Sequence, residues 1–289
     1  MTTPDFAPIW RRETSTDGFG TLWFDTPGRS INIIDSSVLD ALDARLIEAE
    51  NDPNLKALIL RSSKPSGFAA GYDPAMILAA DPDQLRAIAL RGQQVLDRLE
   101  DLKVPTVAIL HGACQGAGLD LALACQRRVA LASNESFRVA ASDVLLGLIS
   151  PWGMIERLPR IIEPSDALNL LIGGRSIGYL MARSMGLVDR LAADENVDDL
   201  HELLSTAAPL ARTLTPQEWE TAWNHAQASL EENPGEHYEA QLQILSVVSI
   251  LAAHGPKAAR EAATEAFVTL AGHEDTRLAL EAAVQRAEP

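Results

Sequence analysis

The sequence predicts an α/β fold with a helical C-terminal region. Short apolar strands alternate with amphipathic helices up to about residue 191, which is typical of a largely parallel sheet with right-handed crossovers. After residue 197 the chain becomes charge-dense and helical, with breaks at proline and glycine and no further strand. We therefore expect a core over residues 1–194 and a helical region over residues 195–289.

The elements of the core follow from hydrophobic periodicity and turn signals. The segment Ser37–Asp40 resembles a capping box and predicts the start of the first helix, which should end near Asn51. Pro74 predicts the start of another helix, because proline is favoured at the first helical position. The expected strands are 9–12, 21–25, 57–61, 107–110, 129–131 and 187–191, and the other expected helices are 82–102, 165–172, 178–185 and one from 119 onward.

Composition limits the classes of partner. The 289 residues carry 24 basic and 40 acidic side chains, for a net charge of −16, which argues against nucleic acid and anionic membranes as partners. No stretch approaches the ~18 uninterrupted apolar residues of a membrane span, and the N-terminal segment has no signal-like pattern, so we expect a cytoplasmic protein. Cys114 and Cys125 are expected to be reduced core thiols.

The most informative stretch is residues 104–130, in which a buried strand leads through the small-residue turn Gly112–Gly118 into a helix that carries Asp120. A similar unit precedes it: an apolar strand, the turn Ala69–Gly71 and the helix at Pro74. Such strand–turn–helix units aim free backbone N–H groups at a ligand. If the N–H groups of the two turns converge on one oxygen, they form an oxyanion hole.

These stretches resemble the crotonase (enoyl-CoA hydratase/isomerase) superfamily. Phe68-Ala69-Ala70-Gly71-Tyr72-Asp73 fits its first motif, and Gly116-Ala117-Gly118-Leu119-Asp120-Leu121-Ala122-Leu123-Ala124-Cys125 fits its second. A third match is Asp143–Ile149 with Arg157–Arg160 behind it. Each motif is weak alone, but three in order at family spacing are specific.

The resemblance implies a spiral of strand–strand–helix units, an acyl-CoA substrate, no cofactor or metal, and a homotrimer or hexamer. It implies that Asp120 and Asp143 are the acid and base, and that the backbone N–H groups of Ala70 and Ala117 form the oxyanion hole. Lys64 is expected to contact the CoA phosphates or adenine. The other residues expected at the substrate are Phe68, Ala69, Gly71, Asp73, Gly116 and Trp152.

Hydration of an enoyl-CoA is the leading function, since two carboxyl groups can hold one water between them. In hydratases of this family both positions are typically Glu, whereas here both are Asp, one methylene shorter. Trp152 and Met154 are also bulkier than the residues usual in their loop and are expected to narrow or fill the acyl pocket. Two alternatives therefore stay open: a Δ3-Δ2 enoyl-CoA isomerase, which needs one carboxylate, and a non-catalytic acyl-CoA-binding or assembly protein.

Overall fold

The strands form two separate β-sheets. The computed structural model describes residues 8–132, 136–193, 200–205, 213–232 and 234–287. The strands are β1 (Trp10–Thr14), β2 (Phe19–Phe24), β3 (Ala57–Ser62), β4 (Gly67–Ala69), β5 (Thr106–Leu110), β6 (Ala113–Gln115), β7 (Arg127–Leu131), β8 (Arg138–Ala140) and β9 (Arg190–Ala192). The large sheet has the order β1-β2-β3-β5-β7-β9, and the small sheet has the order β4-β6-β8.

Helices cover the sheets and form the C-terminal region. They are α1 (Ser36–Glu50), α2 (Pro74–Ala79), α3 (Pro82–Glu100), α4 (Ala117–Ala124), α5 (Met154–Ile161), α6 (Pro164–Gly173), α7 (Tyr179–Ser184), α8 (Leu200–Ser205), α9 (Pro216–Glu232), α10 (Tyr238–Ala271) and α11 (Glu274–Ala287). A short 3₁₀ helix spans Ser142–Leu146.

The topology confirms the predicted spiral. β1 and β2 pair antiparallel, and every other ladder in the two sheets is parallel. From β3 to β8, successive strands alternate between the large and the small sheet, and a helical segment follows each pair. Every turn of the spiral thus places the end of a small-sheet strand next to the start of a helix.

The helical C-terminal region shares the core of the sheets. Ile244 and Phe267 of α10 belong to the same buried apolar cluster as Phe24 of β2 and Leu60 of β3. The boundary predicted between residues 194 and 195 lies outside the described residues. Among the described residues after β9, all regular elements are helical, as the sequence predicts.

Helix α10 bends in the middle and returns the chain to the core. Its backbone leaves helical geometry at Gly255, where φ is 80°. By length and mean hydropathy (1.2) it could cross a membrane, but this evidence is weak because core helices pass the same test. Arg86 of α3 forms a bidentate ion pair with Glu265 of α10, and Thr276 of α11 donates to the carbonyl of Gly147. Helices α10 and α11 therefore pack against the core of the same chain.

Two local predictions were wrong. Helix α1 is capped by Asp35, whose side chain accepts the N–H of Val38, so the helix begins earlier than the Ser37–Asp40 pattern predicts. The helix expected to begin at Ser165 already begins at Pro164, after Glu163. The strands of the small sheet were missed, since three residues are too short to show a hydrophobic period.

A fully buried asparagine joins the early strands to the first turn. The side-chain amide of Asn32 donates to the carbonyls of Phe24 and Phe68 and accepts the N–H of Thr26 at 2.8 Å. Its own carbonyl accepts the N–H of Ala70 at 2.9 Å. One residue thus fixes the position of the turn that follows β4.

We expect Asn32→Ala to lower the free energy of unfolding by about 2–4 kcal/mol, because it leaves the Thr26 N–H and the Phe68 carbonyl without this partner in the core. Urea unfolding followed by tryptophan fluorescence measures the change. Asn51→Ala is the matched control, because the exposed Asn51 amide only caps the end of α1, and it should cost less than about 1 kcal/mol. Equal losses in the two variants would contradict this role of Asn32.

Candidate active site

The two small-residue turns meet, as an oxyanion hole requires. A β-carbon added at Gly118 would lie 2.6 Å from the carbonyl oxygen of Ala69, so the start of α4 contacts the end of β4 directly. A β-carbon added at Gly71 would lie 3.8 Å from the backbone nitrogen of Ala117. The two turns therefore lie against each other, which the sequence alone does not show.

One of the two predicted oxyanion donors is corrected by this geometry. The N–H of Ala70 donates to the carbonyl of Asn32, so it is not available to a ligand. The neighbouring Tyr72 N–H and the Ala117 N–H have no hydrogen bond to another group in the described part of the chain. Ala117 has a negative φ, as an alanine at this turn requires. The Ala117 N–H thus remains a candidate donor, and the Tyr72 N–H is the second candidate in place of Ala70.

Asp120 and Asp143 lie in the interior beside this turn. Asp120 is in the first turn of α4 with no exposed surface, and Asp143 is in the 3₁₀ helix with 6% exposed. The Ser150 hydroxyl donates to Oδ2 of Asp120 at 2.5 Å. Within the described residues, Oδ1 of Asp120 and Oδ2 of Asp143 are buried without a hydrogen-bond partner. Unsatisfied oxygens on two carboxyl groups mark a site for a proton or a polar ligand.

Burial makes both carboxyl groups weak acids. It raises the pKa of Asp120 to about 8; the charge of Asp143 adds to the rise, and the Ser150 hydrogen bond opposes it. Burial raises the pKa of Asp143 to about 7. Because the two groups influence each other, they titrate as a pair. Near neutral pH this pair supplies one proton donor and one proton acceptor at the same time.

The space next to the carboxyl groups is small. A cavity of about 10 Å³ is lined by Asp143, Ser150, Leu148, Met154 and Ile244, among others. A cavity needs roughly 10–15 Å³ of such volume to hold one water molecule. The cavity therefore matches a single water that touches Asp143 on one side and the Ser150 hydroxyl, hydrogen-bonded to Asp120, on the other.

Bulky side chains fill the rest of the interior here. Trp152 is 1% exposed and Met154 is fully buried, so both side chains pack in the interior. The Trp152 ring meets the Tyr72 ring edge-on, with centroids 4.7 Å apart, and Phe267 of α10 lies 6.0 Å from Tyr72 on another side. The C-terminal helices thus supply part of the wall of the candidate site.

The other predicted substrate residues have structural partners. Lys64 forms an ion pair with Asp25, and Asp73 caps α2 by accepting the N–H of Ala75. Phe68 and Ala69 are buried without exposed surface in β4. Gly71 and Gly116 lie at the turns, where their positive φ angles (124° and 49°) favour glycine.

Cys114 and Cys125 agree with the sequence analysis, and His111 has a structural partner. His111 binds the carbonyl of Lys64 at 2.7 Å, which suits a structural histidine. Cys114 and Cys125 are buried free thiols. Within the described residues, no group of acidic, histidine or cysteine side chains has the arrangement of a metal site.

The loop that carries Trp152 is fixed by a buried arginine. Arg157 donates to the carbonyl of Trp152 at 2.7 Å and pairs with Asp97 and Glu100 of α3. Arg260 of α10 pairs with Asp97 and completes the network. These contacts tie the loop before α5 to the helices on both sides of it.

Two residues of the site were missed from the sequence. Ser150 was identified only as part of the loop, and Tyr72 only as a motif position without a role. The Tyr72 hydroxyl is buried beside Ser150, and burial together with the charges of Asp120 and Asp143 raises its pKa well above the usual value. No local pattern could identify either residue, because each acts through neighbours that are distant in sequence.

Comparisons with known proteins show what the chain is similar to. The model of a family described as enoyl-CoA hydratase/isomerase matches residues 18–255. The fatty acid oxidation complex subunit alpha of Shewanella amazonensis is 36% identical over 196 residues, covering 68% of this chain and 27% of that protein. The same subunit of Shewanella sp. strain W3-18-1 is 36% identical over 174 residues, covering 60% of this chain and 24% of that protein. The chain thus spans about a quarter of the length of these relatives.

Features of the sequence outside the three motifs point to the same relatives. Arg91–Gln94 and the C-terminal segment from His237 to Val284 resemble the hydratase half of the bacterial fatty-acid oxidation multienzyme α-subunit.

Solved structures show the same fold. The enoyl-CoA hydratase of Bacillus halodurans superposes with a TM-score of 0.68 at 22% identity, covering 95% of this chain and 99% of that chain. An enoyl-CoA hydratase/isomerase of Xanthobacter autotrophicus Py2 also gives 0.68, at 23% identity, covering 96% and 95%. At these identities the likeness establishes the architecture, and the chemistry has to be argued from the residues of this chain.

The raised carboxyl pKa values predict how stability depends on pH. In the unfolded chain both carboxyl groups have a pKa of about 3.9. Between about pH 4 and pH 8 the folded state therefore holds more protons than the unfolded state, so the free energy of unfolding falls as pH rises. Asp143→Asn should raise the free energy of unfolding by about 2–4 kcal/mol at pH 8 and change it little at pH 4. Chemical unfolding at the two pH values measures this difference.

The control for this experiment is Asp101→Asn, which removes an exposed carboxylate at the end of α3. It should follow the pH curve of the unmodified protein. If Asp143→Asn shows the same pH dependence as the control, the pKa of Asp143 is not raised in the folded state.

Proposed function

The chain belongs to the enoyl-CoA hydratase/isomerase family, and on that premise we propose that it adds water across the double bond of an enoyl-CoA thioester. The observation that carries the proposal is the buried pair of Asp120 and Asp143, whose pKa values lie near neutrality beside a cavity of the size of one water. The N–H groups of Tyr72 and Ala117, which have no hydrogen bond to another group in the described part of the chain, are the proposed oxyanion donors.

The proposed reaction begins at the thioester oxygen. This oxygen accepts hydrogen bonds from the Tyr72 and Ala117 N–H groups, which stabilise the negative charge that develops as the enolate forms. In comparable enzymes one such donor is worth about 2.7–4 kcal/mol. The start of α4 adds a favourable field, because the amino end of a helix attracts negative charge.

The two carboxyl groups handle the protons. The deprotonated member of the pair takes a proton from the water while the water oxygen bonds to Cβ, and the protonated member gives its proton to Cα. One proton is taken and one is given, so the net result is addition of H₂O and no cofactor is consumed. The Ser150 hydrogen bond orients Asp120 and keeps its two oxygens distinct.

The shorter Asp side chains are compatible with this chemistry here because the interior is closed around them. Ser150 extends the reach of Asp120 into the water-sized cavity, since its hydroxyl contacts the carboxylate and lines the cavity. A positioned acid or base contributes roughly 10²–10⁴-fold to the rate.

Isomerisation of a Δ3-enoyl-CoA is the second candidate. It is favoured by the asymmetry of the pair: the Ser150 hydroxyl donates to Oδ2 of Asp120, although each carboxyl group keeps one buried oxygen without a partner among the described residues. A single carboxyl group that moves one proton from Cα to Cγ would suffice. The two reactions make different demands on the pair, so variants separate them.

We expect Asp120→Ala and Asp143→Ala each to reduce hydration of crotonyl-CoA by at least about 10²-fold while CoA-thioester binding changes little, because the groups act on water and protons. Loss of enoyl-thioester absorbance measures hydration, and calorimetry measures binding. Asp101→Asn is again the control and should hydrate at the unmodified rate.

The outcome distinguishes the candidates. Loss of activity in only one variant, with a Δ3-enoyl-CoA as the better substrate, supports isomerisation. Tight binding of acyl-CoA without any turnover by the unmodified protein supports the non-catalytic binding protein. Absence of heat with every acyl-CoA removes the whole proposal.

We also propose that the protein is a homo-oligomer. The apolar run Leu242–Leu251 of α10 does not supply the interface, because Ile244, Leu245 and Val248 are buried within the same chain. Support comes instead from α7, where Leu180 and Met181 are 67% and 54% exposed.

Light scattering should give a mass three or six times that of the 31.2 kDa chain. Leu180→Glu with Met181→Glu should reduce that mass, because charged side chains oppose burial of this surface between copies. A monomer mass for the unmodified protein contradicts the oligomer.

A further inference from the structure

The position of the Trp152 side chain depends on the absence of a side chain at Gly92. Its indole nitrogen donates to the carbonyl of Ile88 at 3.3 Å, and its ring lies directly over Gly92 of α3. A β-carbon added at Gly92 would lie 2.1 Å from the ring, so any other residue at position 92 would displace the indole. Helix α3 therefore contains a recess that the tryptophan fills.

Trp152 is part of a continuous aromatic wall, formed by Tyr72, Trp152 and Phe267. The Tyr72 and Trp152 rings meet at 76°, and the Tyr72 and Phe267 rings at 42°. The wall stands directly beside the reacting groups, because the backbone N–H of Trp152 donates to the Ser150 hydroxyl, which in turn donates to Asp120. A substrate whose thioester lies at the two turns would extend its acyl group toward this wall.

The backbone of the wall is held in place. The carbonyl of Trp152 accepts from Arg157, which is itself paired with Asp97 and Glu100. Behind Tyr72, Phe267 belongs to α10, which the Arg86–Glu265 ion pair ties to α3. Because the backbone is fixed, truncating the Trp152 side chain is the direct way to create room beside the carboxyl groups.

On the basis of the function proposed above, we propose that Trp152 determines acyl-chain length, so that the site takes short acyl groups such as the four-carbon crotonyl group and rejects medium and long chains. The Trp152 ring fills the space between Tyr72 and helix α3. An acyl group bound beside Tyr72 therefore meets this ring, and each added methylene group would have to displace it.

Calorimetry with free CoA, butyryl-CoA and decanoyl-CoA tests the inference without requiring turnover. The unmodified protein should bind butyryl-CoA at least about tenfold more tightly than decanoyl-CoA, since a closed pocket rejects added methylenes. Trp152→Ala should reverse this preference for butyryl-CoA. Trp152→Phe should weaken the preference while an aromatic ring remains at position 152.

Trp10→Phe is the matched control. Trp10 is also 1% exposed and also donates its indole N–H to a carbonyl, that of Val38, but it packs on Phe24 away from the carboxyl pair. Its substitution should lower stability without changing the ratio of the two affinities.

Each result has a definite reading. Equal or tighter binding of decanoyl-CoA by the unmodified protein overturns the inference, and so does an unchanged ratio in Trp152→Phe that unfolds cooperatively. If neither acyl-CoA nor CoA binds to the unmodified protein, the proposed function itself fails, which is distinguishable from a failure of chain-length selection.

Discussion

The candidate site depends on direct contact between backbones. Gly118 touches Ala69, and Gly67 lies so close to Ala113 that a β-carbon there would fall 2.2 Å from its nitrogen. These contacts draw the small sheet together and bring two turns, distant in sequence, to one place. Two N–H donors can then act on a single oxygen. Larger side chains at these glycines would push the turns apart before any catalytic group was altered.

This framework supports a buried arrangement that is itself unfavourable. Two carboxyl groups lie in the interior with few hydrogen bonds, so their charged forms oppose folding. The surrounding apolar cluster, the Arg157 and Arg260 network and the returning helices offset that cost. Desolvated titratable groups with shifted pKa values, concentrated at one place, are typical of functional sites.

Much of this could be predicted from the sequence. Alternating apolar runs predicted the α/β class with a largely parallel sheet, and the family resemblance implied the spiral and the roles of Asp120, Asp143 and Ala117. The donor near Gly71 was misassigned to Ala70 because its N–H is taken by Asn32, a contact set by the loop before α1. Ser150 and the three-residue strands were missed, since they depend on neighbours far along the chain. Local pattern specifies the elements and the motif residues; the pairing of polar groups depends on tertiary contacts.

The fit of Trp152 over Gly92 has a consequence for how related sequences can diverge. The two positions act as a complementary pair, because a side chain at position 92 and an indole at position 152 cannot occupy the same recess. A change at either position alone is therefore disfavoured, whereas a paired exchange of small and large residues keeps the packing volume. Covariation of positions 92 and 152 among homologues would record this steric coupling.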